Sequence, residues 1–223
     1  MIRIFFGNPG CGKTTQIVKN LIKYQKLYEF TAANIEHTVP RSFSIPDIAK
    51  LGEQSPPPNT YLAIDEAGIE YNNRAYKSMS KKTISWFKKH RHFRVDCDVF
   101  SQSWEDVDVT IRRLAPELWY MQKIGPWTLS RRVYKRVEID EKTHQIIDGY
   151  RFPSLLWLLI WPLQLGWPFL PKYKLTFRPF YYRYFDSWSR EELPMIEGFP
   201  GAALPELDPA ESADESGPVQ TQN

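Results

Sequence analysis

Gly7-Asn8-Pro9-Gly10-Cys11-Gly12-Lys13-Thr14 meets every fixed position of the pattern G-x-x-x-x-G-K-[ST]. These residue types at this spacing make a phosphate cradle. The glycines let backbone N–H groups turn inward, the Lys13 ammonium reaches the β- and γ-phosphates, and the Thr14 hydroxyl ligates Mg²⁺. Gly7 through Thr15 are therefore read as the nucleotide-binding stretch, with ATP and Mg²⁺ as cofactors. A chance glycine-rich turn is the competing reading. Downstream, Thr60-Tyr61-Leu62-Ala63-Ile64 is an apolar run ending in Asp65-Glu66. Carboxylates at the C-terminal edge of a buried strand suit metal binding by Asp65 through water and polarisation of an attacking water by Glu66. The bland alternative is an acidic strand-to-helix turn with Asp65 as a cap. Gln102 ends the run Val95–Ser101 and is placed to sense a γ-phosphate; an ordinary loop amide is the alternative. Arg112 and Arg113 end a short helical pattern that begins with acids. Either arginine suits a finger reaching a neighbour's ATP, and complementing the helix dipole explains them equally well.

A strand must aim the phosphate loop and a helix must follow it. Ile2–Phe6 is β-rich, and Ile17, Leu21, Tyr24 and Tyr28 recur at helical spacing, predicting a helix from Lys13 to about Leu27. Further strands are predicted near residues 30–36, 60–64, 95–102, 117–124, 133–139 and 145–150. Residues 37–59 read as a loop with a short helix at Ile45–Leu51, capped by Ser44 with Pro46 in its first turn. Helices are also predicted from about Tyr76 to His90, in the basic stretch 74–94, and over 104–113. The positive face of the former suits phosphates, lipid headgroups or a neighbouring subunit, and equally a solvated surface. His90 and His92 are poorly spaced for a metal on a helix. The fold class is α/β, a P-loop NTPase with a mostly parallel sheet flanked by helices. P-loop ATPases with a Glu directly after the strand-ending Asp place an extra strand between the two motif strands, and 95–102 is the candidate.

Cys11 and Cys97 do not make a disulfide framework and suit a reducing compartment. The chain enters strand sequence at once, so no signal peptide is expected. Net charge is +3, yet Glu197, Glu206, Asp208, Glu211, Asp214 and Glu215 sit in a tail without Lys or Arg. The body is thus distinctly basic, which suits nucleic acid or an anionic membrane surface, and equally an ordinary solvated surface. Residues 152–171 carry no charge over twenty positions, the length of one membrane crossing. Pro153, Pro162, Pro168 and Pro171 argue against a straight helix. A single span, a re-entrant or interfacial insertion, and a buried core segment all remain open. The chain divides into an ATPase domain over 1–151, the hydrophobic segment 152–171, an aromatic and basic closing segment over 172–193, and a disordered acidic tail over 194–223.

Gly7 to Thr14, Ile64-Asp65-Glu66-Ala67, His90-Arg91-His92, Ser101-Gln102, Asp108 with Ile111-Arg112, and Tyr184-Phe185-Asp186-Ser187 together resemble the zonular occludens toxin (Zot) family. The resemblance covers about residues 1–190. It implies an ATPase at the host inner membrane with its ATPase domain cytoplasmic, oligomeric as a ring. Such an ATPase drives assembly and export of filamentous phage around single-stranded DNA, alongside other phage assembly and export proteins. Longer members continue beyond the membrane crossing, where this chain has a short acidic tail, so no toxin activity is carried over. A soluble DNA translocase or packaging ATPase is the alternative reading. A non-enzymatic interaction protein that has kept a nucleotide-binding shell is a third, and intact Lys13, Thr14, Asp65 and Glu66 weigh against it.

Overall fold

The computed structural model describes residues 1–45, 48, 50–67, 80–139, 146–152 and 173–186. Its strands are β1 (Ile2–Phe6), β2 (Phe30–Ala33), β3 (Ser42–Ser44), β4 (Thr60–Ile64), β5 (Val95–Ser101), β6 (Glu117–Ile124), β7 (Trp127–Ile139), β8 (Ile146–Arg151) and β9 (Tyr173–Phe177). The helices are α1 (Lys13–Tyr24), α2 (Lys81–Lys89), α3 (Val109–Leu114) and a 3₁₀ helix over Arg178–Tyr184. The sheet order is β3-β2-β4-β5-β1-β6-β7-β8, with β9 also on β7. Pairing is parallel from β3 through β6, and β7 adds antiparallel structure. This is the mostly parallel α/β P-loop NTPase fold expected, with β5 between the phosphate-loop strand β1 and the Asp-Glu strand β4.

The central strands are apolar on both faces because both faces are covered. On one face Phe5, Tyr61, Phe100 and Trp119 pack against Ile17 and Leu21 of α1. On the other, Ile4, Phe6, Leu62 and Val99 meet Trp86 and Phe87 of α2 and Ile111 of α3. The first core contains a charged group. Asp98 of β5 is fully buried and accepts hydrogen bonds from Arg3 Nε on β1, Asn20 Nδ2 on α1 at 2.9 Å and Tyr61 Oη on β4 at 2.6 Å. Burial opposes the Arg3 charge, but Asp98 outweighs it and holds the guanidinium above its ordinary range. Burial, then the Asp98 charge, pushes the Tyr61 hydroxyl well up, so it stays a donor. Two positions away, Asp96 takes the N-terminal ammonium and the Tyr28 hydroxyl.

Several boundaries differ from expectation. α1 stops at Tyr24, and the chain turns through the exposed Leu27. The loop over 37–59 contributes a short parallel edge strand, β3. The expected helix at 45–51 falls partly outside the described residues, as does the start of the one expected from Tyr76. Within them α2 begins after Ser80, whose hydroxyl caps Thr83 N at 3.1 Å. The helix expected over 104–113 shrinks to α3, because Asp108 takes the N-cap and accepts from Thr110 N at 2.6 Å. β7 starts at Trp127 rather than Val133, since the Gly125-Pro126 turn, with Gly125 at φ 54°, sends β6 straight back. Within the aromatic and basic closing segment, residues 173–184 form β9 and the 3₁₀ helix. Arg151 at the end of β8 pairs with Tyr134, and Tyr173 at the start of β9 pairs with Arg131, so both flanks of the hydrophobic segment rest on one part of β7. Apart from Phe152, that segment lies outside the described residues, as does the acidic tail. No helix among the described residues is long and apolar enough to cross a membrane.

Asp98→Asn should lower unfolding free energy by about 3–5 kcal/mol, because it leaves the buried Arg3 charge without its partner. Urea denaturation at neutral pH measures this. A loss well under 1 kcal/mol would show that the carboxylate does not hold these elements together.

Candidate active site

The phosphate loop follows β1, and its shape comes from what surrounds it. A Cβ on Gly7 would overlap the Met121 carbonyl of β6, and Gly7 N donates to Ser101 O at the end of β5 at 3.3 Å. Gly12 sits at φ 98°, a left-handed conformation that favours glycine, and a side chain there would strike Thr128. Thr128 Oγ1 donates to Cys11 O at 2.7 Å, and Arg178 Nη1 donates to Gly10 O at 3.2 Å. These two bonds fix consecutive peptide planes of the loop, and Cys11 N closes the turn by donating to Asn8 O at 3.2 Å. Lys13, Thr14 and Thr15 form the first turn of α1, whose N-terminus adds partial positive charge. The Cys11 thiol is buried, and burial pushes its pKa up, so it is a packing group.

Lys13 is largely buried, and its Nζ donates to Gly7 O at 2.9 Å and Asn8 O at 3.4 Å, bridging its own loop. Asp65 is carried to the same place by β4. Thr14 Oγ1 donates to Asp65 Oδ2 at 3.5 Å, so the two residues read from sequence as metal-binding meet across the site. Burial raises the Asp65 pKa above the ordinary carboxylate range, against the lowering effects of the Glu66 N–H, Lys13 and Thr14. Asp65 Oδ1 accepts from Glu66 N at 3.0 Å. Glu66 itself is exposed and adopts φ 49°, unusual for a residue with a side chain. Such strain at the end of a strand costs on the order of 1–3 kcal/mol and recurs at functional sites.

Gln102 follows Ser101 directly, so it lies one residue beyond the carbonyl that receives Gly7 N, and it is exposed. The two arginines of α3 separate. Arg112 is buried with its guanidinium 5.3 Å from the Trp104 ring centroid, whereas Arg113 is exposed. The structure thus brings Lys13, Thr14, Asp65 and Glu66 to one edge of the sheet with Gln102 beside the loop, and turns Arg112 into the fold.

Three positioning residues escape sequence reasoning. Asn34 brackets the Asp65 backbone, with Nδ2 donating to Asp65 O at 3.0 Å and Oδ1 accepting from Asp65 N at 2.6 Å. Its place just past β2 was the only signal, a polar residue at the C-terminal edge of a parallel strand. Thr128 and Arg178 carry no local signal, because they reach the loop from far along the chain.

The family model described as Zonular occludens toxin (Zot) matches residues 21–150. No curated protein matches the chain. Among solved structures, the N-terminal domain of zonular occludens toxin from Neisseria meningitidis is similar at 16% identity and a TM-score of 0.45, covering 70% of this chain and 96% of that one. The genome packaging NTPase B204 from Sulfolobus turreted icosahedral virus 2, in complex with ATP-gammaS, is similar at 12% identity and TM-score 0.42, covering 68% and 98%. The flagellar accessory protein FlaH from Methanocaldococcus jannaschii is similar at 11% identity and TM-score 0.41, covering 66% and 88%.

Asp65 also makes a pH prediction. A carboxyl whose folded pKa is raised favours the fold below its unfolded pKa, and that contribution is lost as pH rises through the folded value. Asp65→Asn removes the half-buried charge but keeps an acceptor for Glu66 N. The variant should therefore melt at a higher temperature than wild type at neutral pH, with the gap closing on acidification. Thermal unfolding across that pH range is the measurement, and a lower melting temperature at neutral pH contradicts the assignment.

Proposed function

Because the chain belongs to the zonular occludens toxin (Zot) family, we propose that it is a membrane-associated, Mg²⁺-dependent P-loop ATPase that powers assembly and export of filamentous phage around single-stranded DNA. The observation that carries the nucleotide chemistry is the convergence of Lys13, Thr14 and Asp65, with the Thr14 hydroxyl 3.5 Å from the Asp65 carboxylate. Two hard oxygens at one edge fit Mg²⁺, which takes one or two protein ligands and keeps several waters. Bound there, the ion neutralises charge on the transferring phosphates.

The protein's own residues supply the rest. Loop N–H groups and the α1 N-terminus bind phosphate oxygens. The Lys13 ammonium, resting on the Gly7 and Asn8 carbonyls, exchanges them for β- and γ-phosphate oxygens. Glu66 takes a proton from the attacking water, and Gln102, at the end of β5, orients that water or senses the γ-phosphate. Of the α3 arginines, exposed Arg113 suits a finger offered to a neighbouring subunit of a ring, since Arg112 is committed to Trp104.

The membrane part rests on the uncharged stretch 152–171 and on where its flanks stand. Arg151 and Tyr173 pair with β7 residues only three apart. A straight helical crossing of twenty residues would separate its ends by about 30 Å. The pairing therefore favours an insertion that returns to the side it left, at the host inner membrane with the ATPase domain cytoplasmic.

Glu66→Gln should bind nucleotide like wild type and hydrolyse about 10²–10⁴-fold more slowly, whereas Lys13→Ala should lose binding. Wild-type turnover by Glu66→Gln would remove it as the base. For the membrane, the full chain should pellet with vesicles and resist a high-salt wash, which strips purely electrostatic contact. Leu156→Asp with Leu159→Asp should release it. A wild-type chain that stays in the supernatant favours a soluble DNA translocase or packaging ATPase.

A further inference from the structure

Arg178 is the first residue of the 3₁₀ helix and follows directly on β9. Its backbone N–H donates to Pro126 O at 3.0 Å, fixing it to the β6–β7 turn. Its guanidinium then spans two backbone carbonyls, Gly125 O at 2.6 Å and Gly10 O at 3.2 Å. Its Cδ stands 3.0 Å from where a Cβ on Gly12 would be, so the side chain lies flat along the outside of the phosphate loop. The Arg178 Nε is buried and makes no hydrogen bond. A buried donor without a partner carries a cost, and the two carbonyl bonds and the fixed backbone are what hold it there. The neighbouring positions of β9 are tied to α1 as well. Thr176 Oγ1 donates to Gln16 Oε1 at 3.1 Å and accepts from Lys19 Nζ at 2.7 Å.

We propose that Arg178 is a positioning residue for nucleotide binding, and that through it the stability of β9 is coupled to the occupancy of the phosphate loop. This rests on the nucleotide-binding reading above and adds a residue and a coupling to it. A peptide plane whose carbonyl is drawn outward presents the N–H on its other side inward. With Gly10 O bonded to Arg178 and Cys11 O bonded to Thr128, two consecutive peptide planes of the loop are fixed: the Cys11 N–H closes the turn onto Asn8 O at 3.2 Å, and the Gly12 N–H lies on the side of its plane opposite Thr128. A planar, permanently charged fork reaches two carbonyls at once, which an ammonium does less well. Linkage is reciprocal: if the Arg178 contact favours the nucleotide-binding loop, bound nucleotide must favour the Arg178 contact, and with it β9. β9 begins where the uncharged stretch ends, so this strand physically joins that stretch to the loop.

The test uses the full chain with ADP and a non-hydrolysable ATP analogue. Arg178→Ala should weaken the affinity for both by about tenfold, a change of about 1.4 kcal/mol. Arg178→Lys should recover part of it. In hydrogen–deuterium exchange, nucleotide should slow exchange across residues 173–177 of the wild-type chain, and Arg178→Ala should abolish that slowing while leaving α2 unchanged. A folded Arg178→Ala chain with wild-type affinity overturns the proposal. So does wild-type β9 exchange that is indifferent to bound nucleotide, a measurement that needs no variant to fold. A wild-type chain that binds neither nucleotide would instead refute the parent reading, and the two failures are thereby distinct.

Discussion

The Asp98 carboxylate is the interaction on which the rest depends. It sits in the apolar face between the sheet and α1, and it is tolerated there because Arg3, Asn20 and Tyr61 satisfy it from three different elements. Those elements are β1, α1 and β4, which carry the phosphate loop, its following helix and Asp65. One buried anion thus fixes the mutual register of the parts that must converge. Apolar packing alone is non-directional and would tolerate small slips between strands and helix. The carboxylate tolerates fewer, since each of its donors must arrive within hydrogen-bonding distance.

From that anchor the site is assembled largely by backbone. Gly7 N is tied to the end of β5, Lys13 bridges two loop carbonyls, and Asn34 grips Asp65 by its peptide groups rather than its carboxylate. The acidic pair is treated in opposite ways. Asp65 is drawn inward and its charge is made costly by burial, a condition that a cation relieves. Glu66 is left exposed on a strained backbone. Two adjacent carboxylates are thus given different surroundings, one drawn to the Thr14 hydroxyl at the phosphate loop and the other left to solvent.

Much of this was legible in the sequence, because its signals are local. Glycine spacing and the flanking strand and helix patterns announce the loop within fifteen residues, and a run such as Tyr61-Leu62-Ala63-Ile64 announces an interior strand. Even the insertion of β5 between β1 and β4 was anticipated from Glu66 following Asp65. The misses share a physical cause. β3 is three residues long and two of them are serines, so its pattern is indistinguishable from loop. The early start of β7 depended on reading Gly125-Pro126 as a two-residue hairpin turn. Arg112 and Arg113 look equivalent as neighbours in sequence, yet helical geometry sends one onto Trp104 and the other outward. Thr128 and Arg178 act on the loop from sequence separations of 117 and 168 residues, and no window of local sequence contains such a contact.

Those separations also set an order of events during synthesis. A chain emerging at about 5–20 residues per second exposes Arg178 roughly ten to thirty seconds after Gly10. In that interval β1, α1, β4 and β5 are all available to pair, but the outside of the phosphate loop has no prop from the 3₁₀ helix. The uncharged stretch leaves the ribosome inside the same interval, ahead of β9. The Arg178 prop of the phosphate loop is therefore put in place only after that stretch has met whatever solvent surrounds it, so translation orders the two events.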